Sequence, residues 1–243
     1  IGVVFEMNVA ETDTVTFTVN GTPVTAQKDG NTYTVYLAAA QMTDQIEVFV
    51  NGVAVEKTYS VRAYADIILS GGYGDLVVNL VKQMLNYGAA SQTVFSYNTT
   101  NLANSGIDVT ASVPTGDGEI QVSGNVDGIT FYGASLLHRT KTAVRIYFAA
   151  QSAKGLTFTA NGVPCNASQK DGLFYVEVAG INPQDLGSDV AVTVSNGTDT
   201  LSIAYSPMDY IVRMYEKAGT ADNTKALVQA LYGYYLAAVD YTA

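Results

Sequence analysis

The chain alternates and then winds, and it does both twice. Val3, Phe5 and Met7 fall on every second position, and so do Val144, Ile146 and Phe148. A period of two marks a half-buried strand. Val15-Thr16-Phe17-Thr18-Val19 and Leu156-Thr157-Phe158-Thr159-Ala160 come next, each running into Asn-Gly. That dipeptide predicts a tight hairpin, because both residues accept positive φ. Lys28-Asp29-Gly30 and Lys170-Asp171-Gly172 predict the next turn, with strands at Tyr33-Thr34-Val35-Tyr36-Leu37 and Phe174-Tyr175-Val176-Glu177-Val178. Ile46–Val50 and residues 190–194 form another pair ending in Asn-Gly, from which Val53-Ala54-Val55 and Leu201-Ser202-Ile203 return. The period then lengthens. Ser60 predicts the N-cap of a helix with Val61, Tyr64, Ala65 and Ile68 on one face, stopped at Gly71-Gly72. Ser206, Pro207 at the first helical position and Asp209 two residues later predict its counterpart, with Tyr210, Ile211 and Met214 as the stripe before Gly219. Asp75 and Asp222 predict caps for a second helix in each stretch, ending near Phe95 and Asp240.

These stretches are one sequence written twice. Phe17-Thr18-Val19-Asn20-Gly21 recurs as Phe158-Thr159-Ala160-Asn161-Gly162, and Gln27-Lys28-Asp29-Gly30 as Gln169-Lys170-Asp171-Gly172. Tyr59-Ser60 and Tyr64 recur as Tyr205-Ser206 and Tyr210; Leu80-Val81, Tyr87 and Ala90 as Leu227-Val228, Tyr234 and Ala237. The spacing between copies only grows along the chain, as small loop insertions require. The predicted fold class is mainly β with α: two tandem antiparallel β-sandwich modules, Ig-like in their short strands, each followed by a two-helix hairpin packed on its own sandwich. The first copy spans residues 1–98. Residues 99–119, rich in Asn, Thr, Ser and Gly, read as a linker, and residues 120–243 hold the second copy. Within it, Ile120-Gln121-Val122, the Asp127-Gly128 turn and Ile129-Thr130-Phe131-Tyr132 predict strands with no counterpart before Val3. Either these strands complete the first copy, or the first copy is N-terminally truncated; truncation is the expectation, with the chain a monomeric piece of something longer.

Composition narrows the function. Of 243 residues only 14% are charged, and 12 basic against 22 acidic residues give a net charge of −10. An acidic chain without a Lys/Arg cluster argues against nucleic acid and anionic membrane as partners. No apolar run approaches the roughly 18 residues of a membrane span. The single cysteine, Cys165, excludes an internal disulfide and reads as a small buried hydrophobe standing for Val24.

Catalytic constellations are not apparent. The single histidine, His138, has no carboxylate nearby in sequence to orient it and reads as a rim residue. One histidine and one cysteine do not make a zinc site. Asp29, Asp44, Asp75, Asp127, Asp171 and Asp222 belong to turns and helix starts, which leaves no pair marked for glycoside hydrolysis. Asp117-Gly118-Glu119 and Gly187-Ser188-Asp189 are too sparse for a calcium loop. The expectation is a protein that is not an enzyme and has no cofactor or metal.

At Tyr59-Ser60-Val61-Arg62-Ala63-Tyr64-Ala65 and Leu85-Asn86-Tyr87-Gly88-Ala89-Ala90-Ser91-Gln92 the chain resembles a module of very large secreted and cell-wall proteins of gut Firmicutes. The second copy departs from the pattern with Tyr232-Gly233-Tyr234-Tyr235-Leu236-Ala237-Ala238. The resemblance implies a secreted or cell-wall-attached location and a repeat architecture, and offers no catalytic residue to transfer. Some gut Firmicute surface proteins bind host immunoglobulin, which makes an antibody the concrete form of a protein ligand.

Tyrosine is the remaining signal, with 17 of them and no tryptophan. Tyr33/Tyr175, Tyr59/Tyr205, Tyr64/Tyr210 and Tyr87/Tyr234 occur in both copies and read as core or corner residues. Tyr215, Tyr232 and Tyr235 occur on helices of the second copy alone, and Tyr132 lies in the unmatched strand segment. These four are the expected ligand-binding residues, since tyrosine concentrates binding energy at protein interfaces. Carbohydrate-binding adhesion and a structural spacer in a multidomain surface protein are the alternatives. The lack of tryptophan weighs against sugar.

Overall fold

The structure, a computed structural model, describes residues 1–106 and 108–243. It is mainly β with four α-helices among the described residues, and its sheets are antiparallel. The first half holds β1 (Gly2–Glu6), β2 (Val15–Val19), β3 (Thr22–Val24), β4 (Gln27–Asp29), β5 (Thr32–Tyr36), β6 (Ile46–Val50), β7 (Val53–Ala54), α1 (Val61–Leu69) and α2 (Asp75–Val94). The second half holds β8 (Gln121–Gly124), β9 (Ile129–Leu137), β10 (Ala143–Ala150), β11 (Thr157–Ala160), β12 (Val163–Cys165), β13 (Ser168–Lys170), β14 (Leu173–Ala179), β15 (Val190–Ser195), β16 (Thr200–Tyr205), α3 (Pro207–Glu216) and α4 (Asp222–Thr242).

Strand orders correspond between the halves. β4-β5-β1 matches β13-β14-β10, to which β9 is added; β3-β2-β6-β7 matches β12-β11-β15-β16, to which β8 is added. Residues 120–140 therefore pair within the second half. In each half a phenylalanine pair bridges the two sheets. Phe5 meets Phe17 at 5.3 Å between ring centroids, and Phe148 meets Phe158 at 6.0 Å.

Three of the four Asn-Gly pairs turn as expected. Asn20, Asn51 and Asn161 take φ of 47°, 51° and 48°, each followed by a glycine with positive φ. Their side chains also reach across the sheet, Asn20 Oδ1 accepting from Gln45 N and Asn161 Oδ1 from Ala191 N, both at 2.9 Å. The fourth pair differs. Asn196 Oδ1 accepts from Thr198 N and Asp199 N, closing a longer loop.

One paired tyrosine proves not to be equivalent. Tyr33 stands opposite Phe5 and is buried, but the residue opposite Phe148 is Phe174. Tyr175 is one position on and faces the other way, beside Tyr147 and under the Arg145 guanidinium. In a strand a one-residue shift exchanges the faces. Tyr64 likewise is not a core residue: α1 buries Val61, Ala65 and Ile68, while Tyr64 is 64% exposed.

Ser60 and Ser206 cap α1 and α3, accepting from Ala63 N and Asp209 N, and Asp209 closes a capping box. Asp75 and Asp222 are not caps. They sit inside the first turns of α2 and α4, after Gly74 and Ala221, where a carboxylate offsets the helix dipole.

The two long helices pack on each other. α2 and α4 form the most extensive contact between elements, with Tyr87 stacked on Tyr234 at 6.1 Å and 24°. Each also packs on a 3-10 turn of its own half, α2 on Ala39–Gln41 and α4 on Pro183–Asp185. The expected picture of each hairpin lying on its own strands is therefore incomplete.

The expected linker, in which Ile107 lies outside the described residues, is strapped to this helix pair. Gln92 is fully buried; its Oε1 accepts from Ala103 N at 2.7 Å and its Nε2 donates to Asn101 O at 3.0 Å. Asn86 donates to Asp108 O and accepts from Asn104 Nδ2, and Gln229 on α4 donates to Val109 O. Arg62 on α1 donates to Ala103 O. A buried amide left unpaired costs about 1–3 kcal/mol, so these bonds hold the strap down.

A Cβ on Gly88 would lie 2.5 Å from Met42 Sδ and 3.0 Å from Ala103 Cβ, and Met42 is fully buried. Gly88→Val is expected to destabilise the chain by about 2 kcal/mol or more through overpacking, read as a lower urea midpoint. An exposed change on the same helix, Lys82→Ala, should leave the unfolding free energy within about 0.5 kcal/mol of the parent.

Candidate functional site

β9 and α3 are built from alternating and helical sequence respectively, and where they meet they leave a groove of about 580 Å³. Its walls are Phe131 and Tyr132 from β9, Tyr205 from the end of β16, Tyr210, Arg213 and Met214 from α3, and Lys217 just after α3. Tyr132 points outward at 68% exposure, while Tyr205 is buried and Tyr210 half-buried. Burial pushes the phenol pKa of both Tyr205 and Tyr210 upward, so both remain neutral donors. Arg213, Glu216 and Lys217 are exposed at the rim. The groove thus offers an aromatic floor with two cations and one carboxylate at its rim, on a chain whose net charge is −10.

The four expected ligand-binding tyrosines are not brought together. Tyr132 lines the groove. Tyr215 follows one residue after the groove's Met214 but is half-buried against the core, with Lys225 Nζ 5.9 Å above its ring. Tyr232 and Tyr235 stack at 6.1 Å and 25° on α4, both half-buried against the core. Tyr235 also has a packing partner in Gly187, whose Cβ, if it had one, would lie 2.9 Å from the Tyr235 hydroxyl. Sequence reasoning missed Tyr210, Arg213, Met214 and Lys217 as a set. The signal for them was a predicted α3 next to an unmatched strand, which puts two differently sourced surfaces side by side.

His138 is not the rim residue expected. It follows β9, and its ring is walled by Tyr87, Phe95 and Tyr210 at centroid distances of 6.1, 6.2 and 6.3 Å. Tyr87 Oη lies 2.9 Å from Nδ1. Burial holds the Tyr87 phenol well above its ordinary pKa, so the hydroxyl keeps its proton and donates, and Nδ1 accepts. The ring as a whole is half-buried, but Nε2 is shut from solvent without a partner. Burial brings the His138 pKa down to about 4. Among the described residues no carboxylate is bonded to the ring, so the geometry is that of a packed neutral imidazole rather than an oriented base.

Cys165 is half-buried in β12, and burial raises its thiol pKa, away from a reactive thiolate. Among the described residues no three His, Cys, Asp or Glu side chains group to hold a metal ion, and no helix is long and apolar enough to cross a membrane. Comparison with protein-family models, with curated proteins and with solved structures found no match to the chain.

Two outcomes test these placements. Unfolded chain protonates histidine near pH 6.5, whereas folded His138 does so near 4. Below 6.5 the unfolded state binds more protons, so His138 removes stability as pH falls from 6.5 to 4, by up to about 3 kcal/mol, and no further below that. The difference between wild-type and His138→Gln unfolding curves should carry that slope, and equal slopes would exclude a buried neutral ring. Tyr235→Ala is expected to lower stability by about 2 kcal/mol, and an unchanged Tm would show that Tyr235 does not pack as described.

Proposed function

We propose that this chain is a non-catalytic binding region of a secreted or surface-attached bacterial repeat protein, and that it holds a protein ligand in the groove between β9 and α3. The observation that carries this reading is Tyr132, a large aromatic standing in solvent beside Tyr210 and Arg213. Tyrosine and arginine around a recess are the side chains that concentrate interface energy. The groove belongs to the second half alone, because only that half has β9.

The architecture is taken with it as two tandem antiparallel β-sandwich modules, each followed by a helical hairpin. The matching strand orders and the phenylalanine pairs between sheets support this. The sequence resemblance to modules of gut Firmicute surface proteins supports the extracellular setting, and host immunoglobulin is the ligand to test first.

Biolayer interferometry against purified secretory immunoglobulin is the direct experiment. Tyr132→Ala and Arg213→Ala are each expected to weaken binding tenfold or more, about 1.4 kcal/mol, with Tm unchanged because both side chains are exposed. Clear signal on a glycan array with none on immunoglobulin would overturn the reading in favour of sugar adhesion.

A further inference from the structure

β9 is a wall of the tyrosine groove and, among the described residues, the last strand of its sheet. Its register fixes which main-chain groups face away from the sheet. Gly180 N donates to Thr142 O at 2.9 Å, so these opposed residues are a bonded pair. Alternation along β10 then turns the main chain of Val144, Ile146 and Phe148 to β14, and that of Ala143, Arg145 and Tyr147 to β9. Opposite the last three stand Leu137, Ser135 and Gly133. Ala134 and Leu136, lying between these, point their N–H and C=O groups outward. Among the described residues no turn, loop or cap bond reaches those groups.

Tyr132 marks one end of this regular edge. It is the extra residue between Phe131 and Gly133, opposite the step from Tyr147 to Phe148, so β9 is bulged there. A bulge re-aims a side chain and ends regular pairing, which accounts for an aromatic ring standing in solvent. Next to it a Cβ on Gly133 would meet nothing within 4 Å. Helices commonly cover strand edges, but α3 stands off this one by the width of the groove.

Resting on the groove as a protein-binding site, we infer that it takes its ligand as an extended strand, an acidic stretch of the partner protein added to the edge of β9. Ala134 and Leu136 set a two-residue repeat of about 6.6 Å. A polypeptide strand presents N–H and C=O groups at that repeat, and sugar hydroxyls do not. Main-chain bonds provide affinity in this mode, and alternate side chains provide selectivity. Tyr205, Tyr210 and Met214 are the apolar surface for those side chains to cover. Arg213 and Lys217 stand exposed at the rim against the single Glu216, which suits carboxylates on the incoming strand. The net charge of −10 disfavours a second copy of this chain as the occupant.

The probe is a random twelve-residue peptide library displayed on phage, panned on the full chain with the Tyr132→Ala chain for counter-selection. Enriched peptides are expected to alternate apolar residues and to carry Asp or Glu. The strongest is then synthesised and its amides are N-methylated one at a time. Loss of at least tenfold at every second position, with little between, is expected of an added strand. Hydrogen exchange at Ala134 and Leu136 should slow at least tenfold in the complex. Arg213→Glu with Lys217→Glu should weaken the peptide at least tenfold, and Lys in place of its acids should restore binding to that variant. A peptide that binds without the two-residue period would overturn the strand mode and leave the groove reading intact. Enrichment of no peptide would overturn it too, and Tyr132-dependent binding of immunoglobulin would then still uphold the groove. Slow exchange at Ala134 and Leu136 in the free chain would also sink the inference, because the edge would already be paired. A periodic peptide without immunoglobulin binding would support the strand mode and remove immunoglobulin as the ligand.

Discussion

Everything in the arrangement of the chain turns on the contact between α2 and α4. Tyr87 stacks on Tyr234 there, so the same position of the repeat meets itself. Burial pushes the Tyr234 phenol up to about 12 and raises the Tyr87 phenol as well, so no charge enters the seam. The Tyr87 hydroxyl is used by His138, which arrives from the end of β9, and Gln92, Asn86 and Gln229 tie the connecting strap alongside. Aromatic area makes the contact favourable and the buried amides make it specific, since a shifted helix would strand them unbonded.

The halves then diverge where this contact asks different things of them. On α2, Gly88 leaves room for Met42. On α4 the corresponding residue is Tyr235, and the loop after the 3-10 turn has shrunk to Gly187 to admit its hydroxyl. Volume has moved from the loop to the helix. The residue corresponding to Asn86 is Gly233, and the space over it is taken by Ser112 of the strap and Gln83 of α2. A sequence that looks like drift from a shared pattern is thus a second packing solution on the other side of one interface.

Local chemistry was legible and contact between distant segments was not. Asn20-Gly21, Asn51-Gly52 and Asn161-Gly162 turn as their residues require, and Ser60 and Ser206 cap as theirs do. Alignment of the repeat misassigned Tyr175, because the matching Lys-Asp-Gly turns sit one residue apart in pairing register: Asp29 pairs with Thr32, but Lys170 pairs with Leu173. It also counted Tyr64 as core, because a repeat reports that two positions correspond and not that both are covered. The Asn- and Thr-rich strap read as linker since polar residues that bond to buried amides look like polar residues that bond to water. Of the four tyrosines singled out, Tyr132 alone is exposed in the groove. Helical tyrosines have stripes to fill, and Tyr232, Tyr235 and Tyr215 are half-buried against the core.

A single segment accounts for the most consequential asymmetry. Residues 121–137 supply one wall of the groove and His138 follows them; they cover Leu201 and shelter Tyr210. In the first half β1 and β7 end their sheets, and Val4, Val53, Val55 and Tyr64 are exposed. An edge strand with alternating apolar residues is an aggregation hazard that natural sheets suppress with charge, proline or a bulge. β1 carries Glu6 for that purpose; β7 is two residues long, too short to template much pairing, and Glu56 and Lys57 follow it closely.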